Sequence, residues 1–222
     1  MHSISVKEFL SWEKKQINKG GNIQSLSLLL ELIGGISQDR LNLIRINSEG
    51  YLNLKRNLDF LESIWENHII NFVPIQYLTG FTFWRDLKLS VSEIVLIPRP
   101  ETELLVDIIT GKFKNNSEKL FFAELGTGSG AVSIALAIAN PLWEGIATDI
   151  DENVINIASQ NFINSSNQKN LKFYCGHWWN PLENLKGKLD FVVSNPPYIP
   201  NEIYEKLPKE VKNFEPKIAL LG

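Results

Sequence analysis

An asparagine, two prolines and a tyrosine directly follow a short apolar segment that is typical of a strand. The side-chain oxygen of Asn195 and the carbonyl of Pro196 are both hydrogen-bond acceptors, and neither Pro196 nor Pro197 has an N–H that would compete for them. Pro196 also restricts Asn195 to extended backbone angles, so both acceptors are held stiffly. Tyr198 adds a flat face on which a planar group can lie. This arrangement is suited to holding a planar amino group.

A glycine-rich turn, Glu124 to Gly130, lies upstream between a predicted strand and a predicted helix. Its spacing is Gly-x-Gly-x-Gly, which differs from the Gly-x-Gly-x-x-Gly of dinucleotide folds and disfavours hydride transfer. Asp149 lies 19 residues after Gly130 at the end of the second predicted strand, where an acid binds ribose hydroxyls in nucleotide-binding βαβ units. We therefore predict ribose binding by Asp149 over the alternative that it caps the next helix, a role that Asp151 could serve instead. Together with Asn195, this turn indicates methyl transfer to an amide or amine nitrogen.

His177, Trp178 and Trp179 follow the third predicted strand, on the side where an adenine would lie. Trp178 can offer a stacking face to a base or can simply cover the core, and its position in the sequence favours neither. We interpret His177 as incidental rather than catalytic. The three histidines are scattered, and no Cys/His cluster has metal-ligand spacing, so we predict no metal site.

Strands and helices alternate from residue 101 onward. This alternation predicts an α/β fold with a doubly wound, mainly parallel sheet and right-handed crossovers. Ligands bind to such a sheet where the strand order reverses, here between the first and fourth strands. The predicted strands are 120–123, 145–148, 171–175 and 189–194, and the predicted helices are 131–140 and one that includes Val154, Ala158 and Phe162.

The first part of the chain has a different pattern. Apolar positions at helical spacing predict a small helical domain over residues 1–72, with Ser5 capping its first helix and Gly20 and Gly21 ending it. This domain is either a plain helical bundle or a recognition module for a macromolecular substrate. Residues 73–100 predict a β-hairpin linker, with a turn at Arg85 and Asp86. Residues 101–222 form the remaining predicted domain.

Composition excludes several classes of function. The net charge is −3, with 22 basic and 25 acidic residues, which argues against a broad phosphate-binding face and against direct nucleic-acid binding. The single cysteine, Cys175, excludes an internal disulfide and fits a reducing compartment such as the cytoplasm; we expect it to be buried on its strand. No segment has the length of a membrane span, and the N-terminus lacks the pattern of a signal peptide.

The motifs resemble those of the protein-(glutamine-N5) methyltransferases that modify peptide chain release factors, the HemK/PrmC family. Three further segments are similar to that family's own signatures: 74–80, 96–103 and 213–216. The resemblance implies a Rossmann-like methyltransferase sheet and S-adenosylmethionine as the cofactor. It also implies that the side chain of a release-factor glutamine is held by Asn195, Pro196, Pro197 and Tyr198. The residues that it implies for cofactor contact are Gly126, Thr127, Gly128, Ser129, Gly130, Asp149, Trp178 and Asn195.

Two features depart from the family pattern, and two rival functions stay open. The turn begins with Glu124, where the family usually has Asp, and nothing after Tyr198 predicts a fifth strand. We therefore expect a sheet truncated after the fourth strand; if the sequence is complete, that strand is an unprotected apolar edge, and we expect poor solubility or a low unfolding temperature. One rival is an adenine-N6 DNA methyltransferase, which holds its amino group in the same way but needs a basic surface. The other is a catalytically impaired remnant that still binds a partner.

Overall fold

The computed structural model describes residues 1–114 and 118–222. These residues form two compact units, Met1–Gly80 and Phe81–Gly222. The helices of the first unit are α1 (Val6–Lys19), α2 (Ile23–Leu29), α3 (Gln38–Ile46), α4 (Leu58–Asn71) and α5 (Ile75–Thr79), and a π-helical turn, Leu30–Gly34, continues α2. Two short strands, β1 (His2–Ser5) and β2 (Tyr51–Leu54), pair antiparallel in the same unit.

The ends of α1 follow from its sequence as predicted. The hydroxyl of Ser5 accepts a hydrogen bond from the Glu8 N–H and caps the first turn, and the chain leaves the helix at Gly20, whose φ is 137°. The strand pair β1–β2 was not predicted. Each strand has only four residues, and the paired residues are 46 to 52 positions apart, so local sequence gives little sign of the pairing.

The second unit begins with a hairpin and continues with the alternating elements. Its strands are β3 (Phe81–Trp84), β4 (Leu87–Ser90), β5 (Phe121–Leu125), β6 (Glu144–Asp149), β7 (Leu171–Cys175) and β8 (Phe191–Ser194). Its helices are α6 (Glu103–Lys112), α7 (Ala131–Ala139), α8 (Glu152–Ser165), α9 (Asn201–Tyr204), α10 (Lys209–Phe214) and α11 (Lys217–Leu220).

Strands β5 to β8 form one parallel sheet in the order β7-β6-β5-β8. The first and fourth strands of this sheet are therefore neighbours, so the prediction that the strand order reverses between them is confirmed. The predicted α/β class is confirmed by the same topology. Within the described residues no helix is both long and apolar enough to serve as a membrane span.

The two faces of the sheet bury different side chains, because successive residues of a strand point to opposite sides. Phe122, Ala147 and Val193 pack on one face against α7, α8 and the β3–β4 hairpin. Ala123, Leu125 and Ile146 pack on the other face, where a 3-10 turn, Asn180–Leu185, contributes Leu182. On that face the connection from β7 to β8 is a 3-10 turn rather than an α-helix.

Strand β8 lies at one end of the strand order among the described residues. Its side chains on the α7 face are nevertheless well packed. The ring of Phe191 stacks on Phe122, with centroids 5.3 Å apart, and on Phe113 at 5.4 Å. Beyond β8, Ile199 and Leu221 form an isolated parallel bridge.

Cys175 lies on a strand as predicted, but the prediction that it is buried is wrong. It is exposed, and its thiol donates to the carbonyl of Ile150 at 3.3 Å. The reason is topological, because β7 lies at the other end of the strand order and Cys175 is its last residue. The apolar pattern of a strand does not reveal whether that strand is central or at an edge.

A fully buried amide on α8 connects three parts of the second unit. The side-chain oxygen of Asn161 accepts from the Ser90 N–H at 2.8 Å, and its NH₂ group donates to the Ser90 carbonyl at 3.1 Å. The same NH₂ group donates to the carbonyl of Ser129 at 2.9 Å. Asn161 thus ties the hairpin and the glycine turn to one helix.

We expect Asn161→Ala to lower the free energy of unfolding by about 2–4 kcal/mol, because it leaves one buried and two partly buried backbone groups without their partners. Urea denaturation of the variant measures this change. Asn164→Ala is the matched control, since Asn164 is an exposed residue of the same helix. Equal losses in the two variants would contradict the bridging role.

Candidate active site

An open cavity of about 520 Å³ lies at the carboxyl ends of the parallel strands in the second unit. Most of the predicted site residues line it: Gly126, Thr127, Gly128, Ser129, Asp149, Trp178, Asn195, Pro196 and Pro197. Gly130 and Tyr198 are not among the lining residues. The residues singled out in the sequence therefore form most of the part of the cavity wall that lies at the strand ends.

The glycine turn has a backbone that only glycines adopt readily. The φ angles of Gly126, Gly128 and Gly130 are 69°, 55° and 83°. A Cβ atom on Gly126 or Gly128 would meet no atom within 4 Å, so both backbones border open space. A Cβ atom on Gly130 would lie 2.8 Å from the Cδ1 atom of Ile134. Gly130 thus permits close packing where α7 begins, and its predicted contact with a cofactor stays a prediction.

A buried carboxylate lies directly under this turn. One oxygen of Glu124 accepts from the hydroxyl of Thr127 at 2.6 Å and from the N–H of Ser133 at 3.0 Å. Only 4% of Glu124 is exposed, and this burial raises the pKa of its carboxyl to about 7 against the opposing effect of the two hydrogen bonds. The nearby charge of Asp149 raises the pKa of Glu124 further. Sequence analysis noted the acid at this position but missed its structural role.

Asp149 reaches the same turn from the end of β6. One of its oxygens accepts from the N–H of Gly128 at 2.9 Å, and the other accepts from the N–H of Ile150 at 2.8 Å. Asp151 caps α8 by accepting from the N–H of Asn153, as predicted. The helix cap therefore does not explain Asp149, whose carboxylate borders the cavity.

Trp178 lines the cavity and is 45% exposed. The sequence left open whether Trp178 stacks on a base or covers the core. A side chain this exposed does not cover the core. The φ of Trp178 is 47°, a left-handed conformation that is uncommon and strained for a residue with a bulky side chain. His177 also lines the cavity, beside Trp178.

Asn195 is brought to the glycine turn by the pairing of β5 with β8. Leu125 and Ser194 are partners in this parallel register, so Gly126 and Asn195 leave adjacent strands side by side. No residue that the structure describes forms a hydrogen bond with the Asn195 amide or with the Pro196 carbonyl. Both residues line the cavity, so two acceptors are open to a ligand there. Tyr198 is 71% exposed outside the lining, and its predicted stacking role stays a prediction.

Two segments that sequence analysis gave no role in the site complete the wall. The first precedes α6 and the second is near α11; their lining residues are Glu93, Ile94, Val95, Leu96, Pro98, Arg99, Thr102, Pro216, Ile218 and Ala219. Arg99 joins the two segments by donating to both carboxylate oxygens of Glu215, at 2.8 and 2.7 Å. Both segments were noted only for their resemblance to family signatures.

The charged residues in the lining of the cavity are mostly acidic. Its carboxylates belong to Glu93, Glu124, Asp149 and Asp151, whereas Arg99 is the only Lys or Arg among the lining residues that the structure describes. Opposite charge is stabilising at short range inside a cavity of low dielectric. The lining therefore favours a ligand that carries positive charge.

Comparison with known proteins gives a consistent family. Residues 100–207 match the family model described as "Methyltransferase small domain". A protein of Prochlorococcus marinus is 39% identical over 220 residues, and one of Synechocystis sp. is 35% identical over 225 residues; each alignment covers 99% of this chain and 75% of the relative. A protein of Bacillus cereus is 34% identical over 221 residues, which cover 99% of this chain and 76% of the relative. All three relatives are named release factor glutamine methyltransferase.

The buried carboxyl of Glu124 leads to a pH-dependent stability. The pKa of Glu124 is about 7 in the folded chain against an ordinary value of 4.5, so between these values the folded chain keeps a proton that the unfolded chain has released. This contribution to stability is fully present below pH 4.5 and is lost as the pH rises through about 7, by about 3 kcal/mol.

We expect Glu124→Gln to abolish this loss, because the amide oxygen can accept the same two hydrogen bonds and does not titrate. The measurement is the free energy of unfolding of both proteins from pH 4.5 to pH 8. Glu183→Gln, at an exposed position of the same unit, is the control and should leave the pH dependence unchanged. A constant difference between the wild type and Glu124→Gln across this range would contradict the raised pKa.

Proposed function

The chain belongs to the family of release factor glutamine methyltransferases, and we propose that it methylates the side-chain amide nitrogen (N5) of a glutamine in a peptide chain release factor. The methyl donor in this proposal is S-adenosylmethionine. One observation carries the proposal: the Asn195 amide and the Pro196 carbonyl are open acceptors at a cavity beside a glycine turn. Two fixed acceptors match the two N–H groups of a primary carboxamide.

The cavity fits this cofactor on three grounds. Gly126 and Gly128 offer open backbone, so a ligand can approach the turn closely. The acidic side chains of Glu93, Asp149 and Asp151 in the lining suit the positive sulfonium and ammonium groups of S-adenosylmethionine. Trp178 has a half-exposed ring on the β7 side, where an adenine can stack.

We assign the residues of the turn to the cofactor, Asp149 to its ribose and Trp178 to its adenine. When bound, S-adenosylmethionine supplies a methyl group that is already activated by its sulfonium. Glu124 contributes indirectly, because it fixes Thr127 and the start of α7. Gly130 and Tyr198, which lie outside the lining, retain their assignments to cofactor and substrate as part of this proposal.

The protein must overcome the weak nucleophilicity of a carboxamide nitrogen, whose lone pair is delocalised into the carbonyl. Asn195 and Pro196 bind both amide hydrogens and thereby orient the nitrogen toward the donor. They also stabilise the positive charge that develops on nitrogen; one preorganised contact of this kind is typically worth about 3 kcal/mol in the transition state. Alignment of the two reactants contributes further, since it makes the reaction effectively unimolecular.

The first unit is the proposed recognition module for the protein substrate. It exposes several apolar side chains, among them Leu43 and Ile46 on α3 and Tyr51 on β2. Exposed apolar surface of this kind is typical of protein interaction sites. The proposed domain, residues 1–72, falls within this unit.

We expect Asn195→Ala to reduce methylation of a release factor about 100- to 1000-fold, because it removes one of the two acceptors that act on the transition state. Binding of S-adenosylmethionine, measured by calorimetry, should change little. Asn201→Ala is the control, since Asn201 is exposed on α9 and does not line the cavity. Near wild-type methylation by Asn195→Ala would contradict the proposed mechanism.

The same assay tests the proposed function itself. Release factor and duplex DNA are offered separately with radiolabelled S-adenosylmethionine, and we expect label only on the release-factor glutamine. Label on adenine alone would support the DNA methyltransferase instead. A wild-type chain that binds no S-adenosylmethionine would support the catalytically impaired remnant.

Asp149 has two separable roles, which two substitutions distinguish. Asp149→Asn keeps an acceptor for the Gly128 N–H but loses the charge that favours ribose hydroxyls, so we expect affinity for S-adenosylmethionine to fall about 10-fold. Asp149→Ala also releases the turn, so its loss should reach about 100-fold. Calorimetry measures both values. Unchanged affinity in both variants would remove Asp149 from the ribose site.

A further inference from the structure

Arg99 occupies an unusual position, because it lines the cavity and is also anchored to a buried acid. Its Nη2 group donates to both oxygens of Glu215, and the Arg99 carbonyl accepts from the indole N–H of Trp84 at 2.9 Å. Glu215 is 5% exposed. Backbone and guanidinium of Arg99 are therefore both fixed.

The remaining donors of Arg99 are not used within the protein. Among the residues that the structure describes, none accepts a hydrogen bond from its Nε or Nη1 atom. A guanidinium carries five N–H donors in a rigid fork, so several stay open for a ligand. The side chain is about one-third exposed, which leaves them accessible.

The anchor of Arg99 lies on the β8 side of the cavity. Glu215 is followed by α11, whose end pairs with the chain just beyond β8: the Ile199 N–H donates to the Leu220 carbonyl at 2.9 Å, and the Gly222 N–H donates to the Ile199 carbonyl at 3.2 Å. Asn195 leaves β8 on this same side. Arg99 and the open acceptors of Asn195 thus belong to one end of the cavity.

A ligand whose ribose is held by Asp149 at the end of β6 must extend past the end of β5 to reach the β8 side of the cavity. Neighbouring strands are about 4.8 Å apart, so the ends of β6 and β8 are separated by about 10 Å. The proposed acceptor nitrogen lies beside Asn195, so the donor's sulfur must lie near β8 as well. The amino-acid part attached to that sulfur then extends close to Arg99. That part ends in a carboxylate, which the acidic lining would repel and Arg99 would attract.

We propose that Arg99 binds the α-carboxylate of the cofactor's amino-acid part, and that Glu215 is the residue that positions its guanidinium. This inference rests on the proposed function, because it takes S-adenosylmethionine as the ligand. Arginine is well suited to the task, since its fork matches the geometry of a carboxylate. Glu215 fixes the plane of the fork and leaves the opposite donors free.

Two ligands that differ only in the relevant part test this assignment. S-Adenosylhomocysteine carries the α-carboxylate, whereas 5′-methylthioadenosine keeps the nucleoside and the sulfur but lacks the amino-acid part. We expect Arg99→Ala to weaken binding of S-adenosylhomocysteine about 10- to 100-fold by calorimetry. Its affinity for 5′-methylthioadenosine should stay within about 2-fold of the wild type, because that ligand never reaches Arg99.

Three further variants keep the test decisive. Lys119→Ala removes one positive charge from the same unit outside the cavity, where Lys119 pairs with Glu144 at 2.8 Å, and should affect neither ligand. Glu215→Gln keeps an acceptor for Arg99, so it should weaken only S-adenosylhomocysteine, and by less than Arg99→Ala. If Arg99→Ala does not fold, Arg99→Lys replaces it and should show a smaller loss that is still selective for S-adenosylhomocysteine.

Three outcomes would contradict the assignment of Arg99 to the α-carboxylate. Equal weakening of both ligands would show that Arg99 only supports the cavity wall. Unchanged binding of S-adenosylhomocysteine with a raised KM for the release factor would assign Arg99 to the acceptor protein. Failure of the wild-type chain to bind either ligand would overturn the proposed function, and this inference with it.

Discussion

The site depends on a carboxylate that is buried beneath the glycine turn. Glu124 accepts hydrogen bonds from Thr127 within the turn and from Ser133 in the first turn of α7, so it joins the end of β5 to the helix that follows. Asp149 holds Gly128 from the neighbouring strand, and Asn161 holds Ser129 from α8. A backbone of glycines in left-handed conformations would otherwise be mobile. These three side chains make it a rigid surface.

The order of the strands brings the proposed donor-binding and acceptor-binding residues together. Because β8 pairs with β5, Asn195 emerges beside Gly126, and because β6 pairs with β5 on the other side, Asp149 lies across the turn. In the proposed mechanism, residues at adjacent strand ends therefore bind the donor and orient the acceptor. Residues 96–99 and 213–216 come from distant parts of the chain. The hydrogen bonds between Arg99 and Glu215 join these two segments in the cavity wall.

The features of the site that depend on only a few neighbouring residues were predicted from the sequence. The Gly-x-Gly-x-Gly turn, the strand ends at Asp149 and Asn195, and the cap at Asp151 follow from spacing, φ requirements and side-chain chemistry over a few residues. The contact of Arg99 with Glu215 joins residues 116 positions apart, and the bonds of Asn161 to Ser90 span 71 positions; no local pattern encodes either. The exposure of Cys175 was mispredicted for a related reason, since it depends on which strand lies at the edge of the sheet.

The most direct test is a crystal structure of the chain with S-adenosylhomocysteine and a glutamine-containing peptide from a release factor. We expect the glutamine side-chain nitrogen to lie about 3 Å from both the Asn195 side-chain oxygen and the Pro196 carbonyl oxygen. We also expect this nitrogen to face the sulfur of the cofactor product. A glutamine bound elsewhere, with the Asn195 amide turned away from that sulfur, would contradict the account.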